Sequence, residues 1–428
     1  MKAKTIGILV VILVLAVGSI LAYNWKAITP PAVQTTTTAG TGPTMMRIKI
    51  PVNGCYVGAH VIGSSVIDED IQKITYYENA VGRRMAIEII PWIWPESSIK
   101  GLLPYFPRDQ ADRLVRIGIV PMIGWWATSV DSATGRAYPA KPQDVIEGRC
   151  DDLLTKWALQ AKAFTYPVFL RLGWEMNLGL DSAKFPFQGA FNFGPYGNRS
   201  WSEVDDLYKY YGDPLKPDGP ERFVDSWRHI HQIFDSLEVK NAVWVWCPNH
   251  NSVPDTEWNK PENYYPGDHY VDWVGCDLYN IGYYEGKTYW LDFRDLFKKN
   301  SGLEIYTKHK NKPFVLAEMG CSSESLPNVL GPKAKWILNA YDSIKNLYSN
   351  IKAVVWFSKD MRDAGEKDWR VDSSPESLEA YRKAISDPYF LDRIIFESTS
   401  SAAPSAFRSF TVITAVVDRT TLERRVRE

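Results

Sequence analysis

Between residues 54 and 360, short runs of β-branched and aromatic residues alternate with longer stretches whose apolar residues recur every three or four positions. The short runs predict strands over residues 54–59, 84–92, 118–126, 168–175, 242–249, 272–280, 314–320 and 352–360. The longer stretches predict helices. Two examples are residues 144–164, DVIEGRCDDLLTKWALQAKAF, and residues 221–237, ERFVDSWRHIHQIFDSL. Regular alternation of this kind implies parallel strands joined by crossover helices. Repeated through eight strands, it predicts the α/β class and a (β/α)8 barrel with insertions. The residues after the first strand, HVIGSS, carry no Gly-rich dinucleotide fingerprint, which argues against a doubly wound nucleotide-binding sheet.

The ends of the chain follow neither pattern. Lys2 and Lys4 precede an uncharged, mostly apolar run over residues 5–25, whose 21 residues would rise about 31 Å as a helix, enough for a bilayer core. Residues 1–27 are therefore expected to be a signal-anchor or signal peptide. The basic end would stay in the cytoplasm and the remainder outside, membrane-anchored if uncleaved or secreted if cleaved. Residues 28–45 are rich in Thr and Pro and suit an extended stalk. The folded domain is expected over residues 46–390. The tail, 391–428, ends in an apolar run, FTVITAVV, too short to span a bilayer as a helix.

Charge and composition narrow the function. The 49 basic and 50 acidic residues leave a net charge of −1, which excludes the electrostatic footprint of a nucleic-acid binder and favours a neutral partner. The 17 Trp, 23 Tyr and 17 Phe exceed what core packing asks for and leave ring faces able to stack on sugars. Five Cys without a CxxC spacing read as scattered core or loop thiols, with one or two bridges and at least one thiol left over. The six His contain no HExxH, and His229 and His231 at i and i+2 face different ways on a helix, so no metal site is expected.

The last residues of the predicted strands are His60, Trp92, Trp125 with Trp126, Glu175, Asn249, Tyr279 with Asn280, Glu318 and Asp360. In a barrel these ends form the active face. Glu175 and Glu318 each follow an apolar run, where a carboxylate is costly unless it is paired, hydrogen-bonded or exposed in a cleft. Structural ion pairs, for instance with Arg171, would meet that requirement. So would glycoside hydrolysis, which uses two carboxyl groups facing each other across a sugar, as strands four and seven allow.

The segments GCYVGA, VPMIGWW, VFLRLGWEMN, GPERFVDSWRHIHQIF, VWVWCPN, YPGDHYVDWVGCDLYN and KPFVLAEMG resemble glycoside hydrolase family 26, whose type members are endo-β-1,4-mannanases. The resemblance covers residues 50–390. It implies a retaining (β/α)8 glycosidase without a cofactor, in which Glu175 is the acid/base and Glu318 the nucleophile. It further implies that Tyr279 donates to Glu318, that Trp356 floors the sugar being cleaved, and that Trp125 forms an aromatic wall. Trp174 and Asn177 would also touch substrate, and Arg171 would stand behind the carboxylates. A desolvated aromatic setting should raise the pKa of Glu175.

Two departures from the family pattern bear on substrate. Trp174 stands where the family usually carries a His that reads the sugar 2-hydroxyl, and Asn177 is followed by Leu178, Gly179 and Leu180 instead of Gly and a cleft-lining Trp. The long aromatic insertion between Leu180 and Glu221 is expected to wall the cleft, with Trp201 or Tyr196 as stacking platforms. The expected function is a monomeric endo-acting hydrolase of mannan-type polysaccharide. The alternatives are a β-1,4- or mixed-linkage glucanase or β-xylanase on the same scaffold, a transglycosylase, or a carbohydrate-binding protein without turnover.

Overall fold

Eight strands close into a barrel. In the computed structural model they are β1 (Cys55–His60), β2 (Ile87–Pro91), β3 (Val120–Trp125), β4 (Val168–Leu172), β5 (Ala242–Trp246), β6 (Trp273–Asn280), β7 (Phe314–Cys321) and β8 (Ile351–Phe357). Each is parallel to its neighbours, and β8 pairs back on β1 from Ala353 opposite Tyr56 to Phe357 opposite His60. The structure describes residues 45–399 except 64–66, 92–104, 131–136, 141, 179–218, 254, 285–286, 300 and 323–331. The expected anchor and stalk, most of the tail, Trp92, and the proposed cleft wall with Tyr196 and Trp201 lie outside the described residues. No helix among the described residues is long and apolar enough to cross a membrane.

Side-chain alternation sorts each strand into two cores. One parity packs inside the barrel, with Tyr56, Ile89, Met122, Phe169, Val315 and Val355 among its members. The other, including Val57, Ile123, Leu170, Leu316 and Val354, meets the helices. The helices bury matching stripes. Asp151–Phe164 buries Leu154, Trp157, Ala158, Ala161 and Phe164, starts with Asp151 and Asp152 against its N-terminal dipole, and stops at Thr165 in the left-handed region (φ 66°). Gly219–Ser236 buries Phe223, Trp227, Ile230 and Phe234 in the same way.

Several expectations are corrected. The helix predicted over residues 144–164 is two, Pro142–Ile146 and Asp151–Phe164, because Gly148 between them sits at φ +74°. Residues Glu257–Tyr270 between β5 and β6 carry short 3-10 turns where an α-helix is the usual crossover. Strand Met45–Ile48 pairs antiparallel with Phe396–Thr399, so the folded unit runs from Met45 to Thr399, past the expected boundary at residue 390. All five cysteines are buried and free, and the expected bridges are absent.

Candidate active site

The chain leaves β4 through Gly173 and Glu175, both in the left-handed region at φ 53° and 54°. A Cβ at Gly173 would come within 2.8 Å of Phe223 and 3.0 Å of Trp126, so only glycine fits this turn. Glu175 has no such excuse. A long side chain held at positive φ is strained, and such strain concentrates where function fixes the geometry. The Glu175 N–H donates to the carbonyl of Cys247 (2.9 Å), which pins the turn to the end of β5.

The Asn249 amide donates to Glu175 Oε1 at 2.6 Å. Asn249 is aimed by its neighbours: its Oδ1 accepts the Asn251 N–H (2.9 Å), and its own N–H donates to Asn177 Oδ1 (2.8 Å). Asn177 in turn donates to the carbonyls of Asn249 and Asn251. It is fully buried, so it clips the loops after β4 and β5 together and does not present itself to a ligand.

Opposite Glu175, Glu318 on β7 is held by two donors. Arg171 Nη1 donates to Oε1 at 2.6 Å, and the Tyr279 hydroxyl donates to Oε2 at 2.5 Å. Arg171, 1% exposed, also ion-pairs through Nη2 with the buried Asp277, and its guanidinium lies 5.4 Å from the Trp174 ring centroid. That one guanidinium reaches from β4 to β6 and β7 across the barrel interior. It compensates two carboxylates that desolvation would otherwise penalise.

The electrostatics separate the two glutamates. Burial, and after it the charge of Glu318, push the Glu175 carboxyl up to about 7, while Arg171 and the Asn249 hydrogen bond pull the other way. Burial, with the neighbouring Glu318 charge, holds the Tyr279 phenol well above its ordinary range, so it stays a donor. One group is therefore poised to hold a proton near neutrality, and the other is fixed by donors.

Thus Glu175, Glu318, Tyr279, Arg171 and Trp174 are brought together. Trp174 lies over Gly124, where a Cβ would be 3.0 Å from its ring. Trp125 and Trp356 are not in the bowl. Trp125, 2% exposed, stacks on Trp157 at 4.2 Å. Trp356, fully buried, packs on Trp336 and Tyr381, and its Nε1 donates to the Trp369 carbonyl. Each shares the parity of the outward residues of its strand, Ile123 and Val354, whereas Phe357 has the inward parity and meets Tyr279 at 5.8 Å. Asp360 is exposed and paired with Arg362, and Asn280 is buried, donating to the Leu291 carbonyl. Asp277 was missed, although its place two residues before Tyr279 on the same strand face was a usable signal. A cavity of about 900 Å³ lies outside this cluster, lined among others by His250, Glu262, Lys298 and Lys308, with no Phe, Tyr or Trp among its lining.

Parts of the chain are similar to known proteins. Residues 198–357, which contain Asn249, Asp277, Tyr279 and Glu318 but neither Arg171 nor Glu175, match the model described as glycosyl hydrolase family 26. A curated relative, endoglucanase H of Acetivibrio thermocellus, is 28% identical over 280 residues, 65% of this chain, and the chain spans about a quarter (25%) of that protein's length. Among solved structures, a Bacillus subtilis mannanase is 15% identical with a TM-score of 0.47, over 85% of this chain and 91% of its own. A family 26 β-mannanase from Bacteroides ovatus is 15% identical with a TM-score of 0.49, over 79% and 90%. Likeness that distant assigns no substrate. The family-model match and the curated relative show that part of the barrel is similar to glycosyl hydrolase family 26.

Proposed function

We propose that this chain is a retaining, endo-acting β-glycoside hydrolase of mannan-type polysaccharide, with Glu318 as nucleophile and Glu175 as acid/base. The observation that carries the reading is the pairing of a carboxyl raised to about 7 with a second carboxylate fixed by Arg171 and Tyr279 on the facing wall. In the first step Glu318 bonds to the anomeric carbon as the glycosidic bond breaks, and the Glu175 proton goes to the leaving oxygen. In the second, water gives its proton to Glu175 and its oxygen to the anomeric carbon, and the Glu318 ester bond breaks. The Glu318 charge helps hold the proton on Glu175 before the first step. Esterification removes that charge, lowers the Glu175 pKa and prepares it to act as base. Tyr279 and Arg171 occupy separate oxygens of Glu318 and fix its rotamer for attack.

A second reading, hydrolysis of β-1,4- or mixed-linkage glucan, has specific support. The indole of Trp174 replaces the expected 2-hydroxyl reader, and the curated relative is named an endoglucanase. Reducing-sugar release from soluble mannan and from both glucans by the full chain, with Glu318→Ala as blank, tests both. Release from mannan supports the first reading, release from glucan alone moves the substrate, and Glu318-independent release refutes the nucleophile assignment. Proton NMR of the first-formed anomer tests retention. Glu175→Ala should still cleave aryl glycosides with activated leaving groups, since these need no proton.

A further inference from the structure

A second group of buried ionisable side chains lies at the mouth of the barrel, on the wall formed by β1, β2 and β8. Glu88 on β2 is fully buried and accepts from the backbone N–H of Val61 (3.1 Å) and of Ile89 (3.1 Å). His60, at the end of β1 and 4% exposed, places Nδ1 3.2 Å from Glu88 Oε1 and Nε2 2.8 Å from the ammonium of Lys359. A Lys ammonium has only donors, so Nε2 must accept and the ring proton belongs on Nδ1, facing Glu88. Burial and the Lys359 charge depress the His60 pKa, which agrees with a neutral ring. The order is therefore carboxyl group, imidazole, ammonium, each fixing the next, with burial raising the Glu88 pKa against the pull of Lys359 and the backbone N–H groups. It is the device by which proteins orient a His toward a metal, here with a cation of the chain itself at the far end.

Lys359 is half-buried, and its ammonium lies 5.5 Å from the centroid of Phe357, whose ring meets Tyr279, the donor to Glu318. Around the barrel, β8 is the strand diametrically opposite β4. A sugar whose leaving oxygen points to Glu175 just after β4 and whose anomeric carbon stands over Glu318 on β7 would extend its non-reducing side toward β8 and β1. Neither proton transfer nor nucleophilic attack uses Lys359, His60 or Glu88. Holding a lysine this rigidly costs side-chain entropy and desolvation, and a mobile surface lysine would incur neither.

We propose that Lys359, aimed by His60 and Glu88, is a glycone-recognition residue whose ammonium donates hydrogen bonds to hydroxyls of the sugar on the non-reducing side of the scissile bond. The inference rests on the glycosidase reading above. Burial lowers the Lys359 pKa to about 8, opposed by the charges of Glu88, Glu318 and Asp70 and assisted by Lys73. Recognition should therefore fade as pH rises through that value, as the ammonium loses a proton and its charge.

The test is calorimetric affinity for manno- and cello-hexaose, measured on full-length Glu318→Ala so that nothing is turned over. Adding Lys359→Met should weaken binding about 10- to 100-fold, the range for a lost charged hydrogen bond. His60→Phe, which leaves Lys359 in place without its acceptor, should weaken it less. Lys359→Arg should keep most of the affinity and remove the loss above pH 8, a result that a purely structural lysine would not give. Circular dichroism melting of each variant establishes that it is folded. Unchanged affinity in folded Lys359→Met overturns the inference, as does a pH dependence that persists in Lys359→Arg. Failure of Glu318→Ala itself to bind either hexaose overturns the glycosidase reading on which the inference stands.

Discussion

Removing the charge of Glu318 should make Glu175 a stronger acid without returning it to an ordinary glutamate. The rise of Glu175 from 4.5 to about 7 corresponds to roughly 3 kcal/mol against ionisation, at about 1.4 kcal/mol per pKa unit. Burial is the larger cause and the Glu318 charge the second, so Glu318→Gln should lower the pKa while leaving it above 4.5. Carbon-13 NMR titration of the glutamate side-chain carboxyls reads this directly, with Glu175→Gln to assign the resonance. In the parent enzyme the same group should set the alkaline limb of kcat/KM. The protonated acid is lost as pH rises, so the rate constant should fall about tenfold per pH unit above about 7. A Glu175 that titrates near 4.5 in the parent would refute the burial argument. A value unchanged by Glu318→Gln would refute the facing geometry of the two carboxylates.

Further expectations concern stability and the supporting residues. A folded-state pKa above the unfolded one costs nothing well below pH 4.5, costs increasingly as pH rises from about 4.5 to about 7, and levels off above that. Glu175→Gln should therefore unfold at higher denaturant than the parent at pH 8, by up to roughly 3 kcal/mol, with no gain at pH 4. Trp125→Ala and Trp356→Ala should each cost about 3–5 kcal/mol in urea unfolding, because both rings are buried in the layer beneath the helices. A selective loss of oligosaccharide affinity with unchanged stability would return them to the cleft. Tyr279→Phe should lower kcat about 10- to 100-fold with a smaller change in KM, since it removes a hydrogen bond to Glu318, the proposed nucleophile, and leaves the ring in place.

The strand order, the barrel and the two facing glutamates were legible in the chain because they rest on local rules. Apolar runs of strand length separated by helical stripes can close only in a few ways, and a carboxylate at the end of such a run stands out. The helix over residues 144–164 was overextended because Gly148 breaks a stripe whose periodicity is otherwise continuous. Trp125 and Trp356 were misplaced for a different reason. Their cleft roles rest on the family resemblance, which carries no information on strand parity. Counting by twos from Val355 would have put Phe357 in the bowl and Trp356 behind it.

The sequence by itself determined the periodicities, and through them the barrel and the wall from which each glutamate projects. Contacts between residues far apart in the chain were decided only by the tertiary structure. Arg171 meets Glu318 across 147 positions and Asp277 across 106, and Lys359 meets His60 across 299. No local propensity encodes such pairs. They arise because barrel closure brings β8 beside β1 and points the inward residues of β4, β6 and β7 at one volume too small for water to solvate them separately. In that volume desolvation, and not the intrinsic acidity of a glutamate, sets which carboxyl keeps its proton.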